Sequence, residues 1–308
     1  MNEPFISIII PAKDAEETIE KCINSIFSIN YSNYEVIVVD DGSQDSTLKI
    51  LERYKDKFKI LKTNSKGPSY ARNIGVINCK GEFVVFVDAD CLLDENLLRE
   101  LWRCFEKFPE AVSCGGIQKL PSDSTEFERK IFLFMKRTGF ISDYMRTAKD
   151  ERIIEVNHNA SCCVMYRKDI FLKEDGFLEG LWPGEDVELD YRLKKKGYKI
   201  YFNPKAIVYH YRPKNLKKFL KMMYRYGFAQ GFLVRKYGLF RKIHILPLLS
   251  LFFLSILFIY RKFMFIFILI SLIAVWLYFL SFFSLLLFIV TVVSWHFGFM
   301  VGLIRKNS

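Results

Sequence analysis

The chain has 308 residues, enough for one sizeable core and an appendage, and a formal net charge of +11. The charge is uneven: all 34 Asp and Glu lie before residue 191, and the stretch 191–308 carries 20 Lys and Arg and no acid. That basic stretch runs directly into apolar sequence, so anionic lipid headgroups are its expected partner and nucleic acid is not.

The chain opens on MNEPFISIII, which begins a strand rather than a signal peptide. Residues 5–10 form an apolar run stopped by Pro11, as in a strand buried on both faces. Ile19, Cys22, Ile23, Ile26 and Phe27 then recur at helical spacing. A second buried strand, 35–39, ends at Asp40-Asp41-Gly42-Ser43, and the helix after it carries Leu48, Leu51 and Tyr54 on one face. Residues 58–64 read as a third strand, and 67–81 as a helix entered after Pro68 and closed at Gly81. EFVVFVDADC, 82–91, is the fourth strand, followed by a helix over 94–108. This alternation predicts an α/β fold with a mostly parallel sheet covered by helices, which binds its ligand beyond the carboxyl ends of the strands.

Further on, AVSCGGI reads as a strand, 124–147 as a helix, 160–166 as a strand and 185–197 as a helix closed at Gly197. YKIYFNP and AIVYH read as two short strands, and 214–242 as basic amphipathic surface helix feeding a membrane. Residues 243–260 and 263–304 contain no charged side chain. The longer segment suits two spans, whereas the shorter reaches only about 27 Å of a hydrocarbon core about 30 Å thick. The positive-inside rule favours Arg261/Lys262 and Arg305/Lys306 on one side, with 281–284 as the far turn. Two spans plus a shallow segment are expected. The seven cysteines show neither CxxC nor a His at zinc spacing, and read as core thiols of a reducing compartment, so the catalytic part is expected in the cytosol.

Three stretches carry chemistry. Asp88 and Asp90 end an apolar strand, where like charges are costly unless a cation joins them. A hard divalent ion such as Mg2+ or Mn2+ fits and also takes diphosphate oxygens; the plainer alternative is a solvated loop with two surface acids. Asp40 and Asp41 can accept from a nucleobase or ribose, while Ser43 and Asp45 suit helix capping. Glu185 and Asp186 lie at a helix start, either complementing its dipole or, once ionised, taking a proton from an acceptor hydroxyl. The preceding loop, DGFLEGLWPG with Trp182, looks shaped around a ligand. His210 at a strand end is either structural or completes a metal site with Asp90. His158 is a candidate acceptor contact.

Together, SIIIPAKDAEETIEKCINSI, VIVVDDGSQDST, GPSYARNIGV, FVVFVDADC and GFLEGLWPGEDVELDYRLKKKGYKI resemble the family 2 glycosyltransferases of the GT-A fold, over roughly residues 5–212. The resemblance implies a nucleotide-diphosphate sugar donor, a divalent cation and inversion at the anomeric centre. It implies that Pro11 and Lys13 line the nucleotide pocket, with Asp41 on the base, Asp40 beside it and Arg72 at the nucleotide. Asp88 and Asp90 match the DxD pair, Asp90 being the more direct metal ligand. Asp186 matches the general base that follows Glu185, and His210 a C-terminal metal-binding His. The catalytic domain is then expected at 1–212, with a nucleotide half (1–108) and an acceptor half (109–212), followed by an interfacial segment (213–242) and a membrane anchor (243–308).

No QxxRW follows Glu185-Asp186, so a processive synthase is disfavoured. A phosphate acceptor, with a second pKa of about 6, needs no base, whereas a sugar hydroxyl does. The expectation is therefore a multi-pass membrane enzyme moving sugar from a UDP- or GDP-sugar to a lipid-linked glycan, with polyprenyl phosphate as the alternative acceptor. A nucleotidyltransferase would need no apolar tail, a non-catalytic scaffold would tolerate loss of Asp88 and Asp186, and a nicotinamide dehydrogenase would show GxGxxG.

Overall fold

The computed structural model describes residues 3–139, 151–245, 247, 249, 250, 252, 261–279 and 281–304. Two compact units result, one of residues 1–124 and 139–212, the other of 125–138 and 213–308. Residues 125–138 thus group with the C-terminal part of the chain instead of with the 109–212 segment.

In the first unit β1 (Ile6–Ala12), α1 (Ile19–Ile26), β2 (Tyr34–Asp40), α2 (Thr47–Glu52), β3 (Lys59–Lys62), α3 (Pro68–Ile77) and β4 (Phe83–Phe86) alternate as the apolar pattern predicts. Strands β3, β2, β1 and β4 lie side by side and parallel. Their apolar runs are continuous because both faces are covered. Ile6, Ile8 and Ile10 enter one core with Cys22, Ile23 and Ile26. Ile9, Ile37 and Val84 enter the other, against Ala71 and Val76 of α3. Each fully buried Ile or Val contributes about 1.5–3 kcal/mol relative to exposure.

Next come β5 (Cys91–Leu93), α4 (Leu97–Lys107), β6 (Ala111–Lys119), α5 (Glu126–Thr138, in the second unit), β7 (Ile154–Glu155), β8 (Val164–Arg167), α6 (Lys168–Lys173), α7 (Glu185–Lys195) and β9 (Lys199–His210). The sheet order is β3-β2-β1-β4-β8-β6-β9-β5, with β7 on β9. β8 runs antiparallel to β4 and β6, and β9 runs parallel to β6.

Three elements differ from expectation for physical reasons. The stretch 82–91 is not one strand: β4 stops at Phe86, Cys91 N donates to Asp88 O at 3.0 Å in a turn, and β5 then pairs with β9. The two short strands expected after Gly197 are one strand, β9, whose pairing with β6 jumps from Gly116↔Asn203 to Ile117↔Ile207. That irregularity accommodates Pro204, which has no N–H for a regular ladder. Helix α5 starts where Thr125 and Glu128 cap each other, Thr125 N donating to Glu128 Oε2 at 2.9 Å and Glu128 N to Thr125 Oγ1 at 3.3 Å. It runs to Thr138, and 140–147 of the expected helix lie outside the described residues.

The second unit contains α5, α8 (Leu216–Tyr237), a short turn of 3-10 helix (Lys242–His244), α9 (Arg261–Phe279) and α10 (Phe282–Ile304). Among the described residues, α10 is long and apolar enough to cross a membrane. The break between α9, which ends at Phe279, and α10, which starts at Phe282, falls at the edge of the expected far turn 281–284, and Ser281 Oγ caps α10 by accepting from Ser284 N at 3.3 Å. Most of 246–260 lies outside the described residues. Helices α8 and α10 pack with backbones in close approach: a Cβ added at Gly227 would lie 1.9 Å from Trp295 O, and one at Gly298 2.1 Å from Tyr224 O.

Candidate active site

The carboxyl ends of the parallel strands carry the first group of residues. Pro11 is buried near the end of β1 and Lys13 is exposed just beyond it. Asp40, the last residue of β2, is buried; its Oδ2 accepts from Ser43 N at 3.4 Å, and its Oδ1 has no hydrogen-bond partner in the protein. Asp41 is engaged differently. Its carboxylate accepts from Thr63 Oγ1 (2.6 Å), Lys66 N (2.9 Å) and Gly67 N (2.7 Å), which pins the 63–67 loop ahead of α3. Gly67 caps that helix at φ 95°, a conformation glycine adopts without strain.

Asp88 and Asp90 sit in the β4–β5 turn, so they converge through the turn and not through strand alternation. Opposite them, His210 closes β9, and the ligand atoms of Asp88, Asp90 and His210 all lie within 4.8 Å of one another. Asp90 Oδ1 is 3.2 Å from His210 Nε2. Burial opposes charge on both groups, but each outweighs it for the other. Asp90 is held below the usual carboxylate range, and His210 is pushed up to about 10. The second imidazole nitrogen, Nδ1, lies 3.2 Å from Gln118 Oε1, which also accepts from Arg212 Nη2 at 2.7 Å. An amide oxygen that already faces a guanidinium is an acceptor, so it selects the Nδ1–H form and leaves Nε2 to ligate.

Arg72, buried on α3, joins this corner to the next. Its Nη2 donates to Asp88 Oδ1 at 2.5 Å and its Nη1 to Glu185 Oε1 at 2.9 Å. Glu185 and Asp186 open α7 behind Gly184. Burial, and then the neighbouring Asp186, push the Glu185 carboxyl up to about 7 against the pull of Arg72. Its Oε2 is buried without a partner, which fits a carboxyl that readily holds a proton. Ser161 ties the two acids together, with Oγ donating to Glu185 Oε1 at 2.9 Å and N donating to Asp186 Oδ2 at 3.1 Å. Asp186 is half-buried, and Trp182, just before it, is 46% exposed. His158 Nδ1 lies 3.1 Å from Asp190, which also accepts from Asn159 N and Tyr166 Oη and is buried.

The fold therefore brings Arg72, Asp88, Asp90, Glu185, Asp186 and His210 into one connected cluster, with Pro11, Lys13, Asp40 and Asp41 on the neighbouring strand ends. Gln118 and Ser161 also belong to the cluster, although no local motif marks either. Gln118 reaches it because β6 pairs in parallel with β9 and sets it beside Val208, two residues before His210.

Residues 7–173 match the family Glycosyl transferase family 2. The chain is 27% identical over 261 residues to the dolichyl N-acetyl-alpha-D-glucosaminyl phosphate 3-beta-D-2,3-diacetamido-2,3-dideoxy-beta-D-glucuronosyltransferase of Methanococcus voltae, covering 81% of this chain and 80% of that protein. It is 30% identical over 242 residues to Glycosyltransferase AglE of Haloferax volcanii, covering 74% and 73%. The mannosyltransferase PcManGT from Pyrobaculum calidifontis, solved in complex with GDP-Man and Mn2+, aligns with a TM-score of 0.59 at 18% identity, over 75% of this chain and 63% of that one. Staphylococcus aureus TarS 1–349, solved with UDP-GlcNAc, aligns with a TM-score of 0.54 at 22% identity, over 78% and 69%. At such identities these two structures establish the fold alone. A relative at 30% identity over about three quarters of both chains and a family match across more than half of the residues establish more: the chain is a glycosyltransferase of the GT-A fold and belongs to glycosyl transferase family 2.

Proposed function

We propose that this glycosyltransferase moves a sugar, with inversion, from a UDP- or GDP-sugar to a hydroxyl of a lipid-linked glycan at the cytosolic face of a membrane. The observation that carries this reading is the connected cluster Asp90–His210, Asp88–Arg72–Glu185 and Ser161–Asp186, which places a dication-type ligand set beside a half-buried carboxylate. Two carboxylates and an imidazole whose Nε2 faces Asp90 fit a hard divalent ion, Mg2+ or Mn2+. Asp88, Asp90 and His210 would hold such an ion, which would supply positive charge against the diphosphate leaving group.

The chain's own residues do the rest. Asp40, with its unpartnered Oδ1, accepts from the base or ribose, while Asp41 holds the 63–67 loop and Pro11 and Lys13 line the pocket. Arg72 orients Asp88 through one arm and Glu185 through the other. Asp186, held by Ser161 N and by Val187 N at 2.7 Å, takes the acceptor's proton as its oxygen attacks C1. Trp182 and His158, on the segments flanking Asp186, are assigned to the acceptor side. The Methanococcus voltae relative is named for extending a dolichyl phosphate-linked sugar, which is the acceptor chemistry a base would serve. The basic residues of 191–242 and two membrane passes, assigned to the apolar helices α9 and α10, anchor the chain and confine enzyme and acceptor to one surface.

The test is sugar transfer by the full chain in nanodiscs, with UDP- and GDP-sugars and lipid-linked acceptors, with and without EDTA. Transfer is expected to stop in EDTA and to fall by about 10²–10⁴-fold in Asp186→Asn. Unimpaired turnover in EDTA would overturn the role of the acidic corner. Full transfer to polyprenyl phosphate by Asp186→Asn would replace the hydroxyl acceptor with a phosphate.

A further inference from the structure

We propose that Cys91, Cys162 and His210 form a binding site for a thiophilic divalent cation of the Zn2+ class, and that filling it withdraws His210 from Asp88 and Asp90. The ligand atoms of Cys91, Cys162 and His210 all lie within 4.8 Å of one another, as do those of Asp88, Asp90 and His210. Both sets converge on one imidazole.

The fold builds this second set from separate segments. Antiparallel pairing of β5 with β9 makes Cys91 and His210 direct cross-strand partners. Cys162 comes from the turn ahead of β8, closed by Cys163 N donating to Ala160 O at 3.1 Å. The neighbouring Cys163 takes no part, since its Sγ lies against Gly116. A tetrahedral ion with sulfur at about 2.3 Å and nitrogen at about 2.0–2.1 Å sets its ligands about 3.5–3.8 Å apart. A triad already within 4.8 Å reaches that spacing by small side-chain movements.

Two thiols and an imidazole select soft or borderline cations, whereas two carboxylates and an imidazole select hard ones. Both thiols are buried, so the approach lies past the Asp90 and His210 side chains, which are 47% and 17% exposed. On coordination Cys91 and Cys162 bind as thiolates and His210 as the neutral ring, with the displaced thiol protons and the Nε2 proton released to solvent. Because Nδ1 is held by Gln118, a single nitrogen serves both sets, and they cannot use it together. A thiophilic ion should therefore antagonise Mg2+- or Mn2+-supported transfer. That consequence rests on the proposed role of Asp88, Asp90 and His210; the sulfur site itself does not.

The experiment titrates the purified full chain with Cd2+ and follows thiolate-to-metal absorption in the ultraviolet. One equivalent is expected to saturate the band, Zn2+ to displace it, and Cys91→Ser or Cys162→Ser to remove most of it. In Mn2+-supported transfer, the Zn2+ concentration that halves the rate should rise by about tenfold or more in Cys162→Ser. Absence of the band in the native chain, or an equal band in both variants, overturns the site. Should the variants fail to fold, X-ray absorption on the Zn2+-loaded native chain decides: sulfur at about 2.3 Å supports the site, and a shell of oxygen and nitrogen alone refutes it. Sulfur ligation with no effect of Zn2+ on transfer overturns the antagonism and points to failure of the His210 metal role, leaving the sulfur site standing.

Discussion

Arg72 Nη1 lies 2.9 Å from Glu185 Oε1, and both side chains are buried, to 1% and 2% exposure. The partners are 113 residues apart in the chain and come from α3 and α7. The same guanidinium reaches Asp88, so one buried cation holds the acidic corner and the Glu185-Asp186 helix start in a fixed relation.

Removing one partner of a buried pair leaves an uncompensated charge and costs about 3–5 kcal/mol. Arg72→Met is expected to lose stability of that order at pH 8 and to abolish transfer. Arg72→Lys is expected to rescue little, because a single ammonium on a flexible stem does not replace two arms of a planar fork. Denaturant titration of the purified chain checks both variants, and an Arg72→Met protein within about 1 kcal/mol of native would refute the bridging role.

Glu185 makes stability depend on pH. Its carboxyl sits at about 7 in the folded chain against an ordinary value of 4.5, so the folded state binds the proton more tightly than the unfolded one. The contribution is fully present below pH 4.5 and disappears as pH rises through 7. Glu185→Gln stays neutral throughout, so the stability of the native chain relative to this variant is expected to fall across that window. The fall amounts to a few kcal/mol, at about 1.36 kcal/mol for each pH unit between the unfolded and folded values. Parallel unfolding curves at pH 5 and pH 8 measure it; a constant difference would show that Glu185 stays ionised.

Gln118 acts through His210. With its amide oxygen replaced in Gln118→Leu, Nδ1 loses its acceptor at 3.2 Å and the imidazole its preferred tautomer. Loss of such a supporting partner weakens metal binding by about 10–100-fold. The expected result is a higher Mn2+ requirement for transfer, with the rate largely recovered at saturating Mn2+. An unchanged Mn2+ requirement would refute this positioning role.

The α8–α10 contact depends on side chains that are missing. Gly298→Val would drive a Cβ to about the position that lies 2.1 Å from Tyr224 O, and backbone cannot move aside as a flexible side chain can. Overpacking of this kind costs about 1–3 kcal/mol or more. The variant is expected to expose α8 to protease in detergent and to shift the fluorescence of buried Trp295, and native protease resistance would contradict the close approach.

Much of the first unit was legible in the sequence because its information is local. Continuous apolar runs at 5–10 and 35–39 announce strands covered on both faces, and the 3.6-residue recurrence of Ile19, Cys22, Ile23 and Ile26 announces α1. Asp88 and Asp90 stand out because acids rarely end such a run, and Glu185-Asp186 because they open a helix. The polar partners had no such signal. Gln118 looks like any strand residue, Ser161 like any turn residue, and Cys162 like a core thiol.

Chain order favours β1, β2 and β3 as successive neighbours in the β3-β2-β1-β4 half, since a parallel sheet grows by right-handed crossovers, but it does not dictate the return of β4 to the far side of β1. Only the tertiary structure decided the other half. The antiparallel insertion of β8 beside β4, and the departure of β5 to pair with β9, bring residues 72, 88, 90, 118, 161, 185 and 210 to one corner. Periodicity encodes which face of an element is apolar, but it carries no record of which strand that element will meet. The pairing follows from burying all of those faces at once, and charge partners more than a hundred residues apart are settled only then.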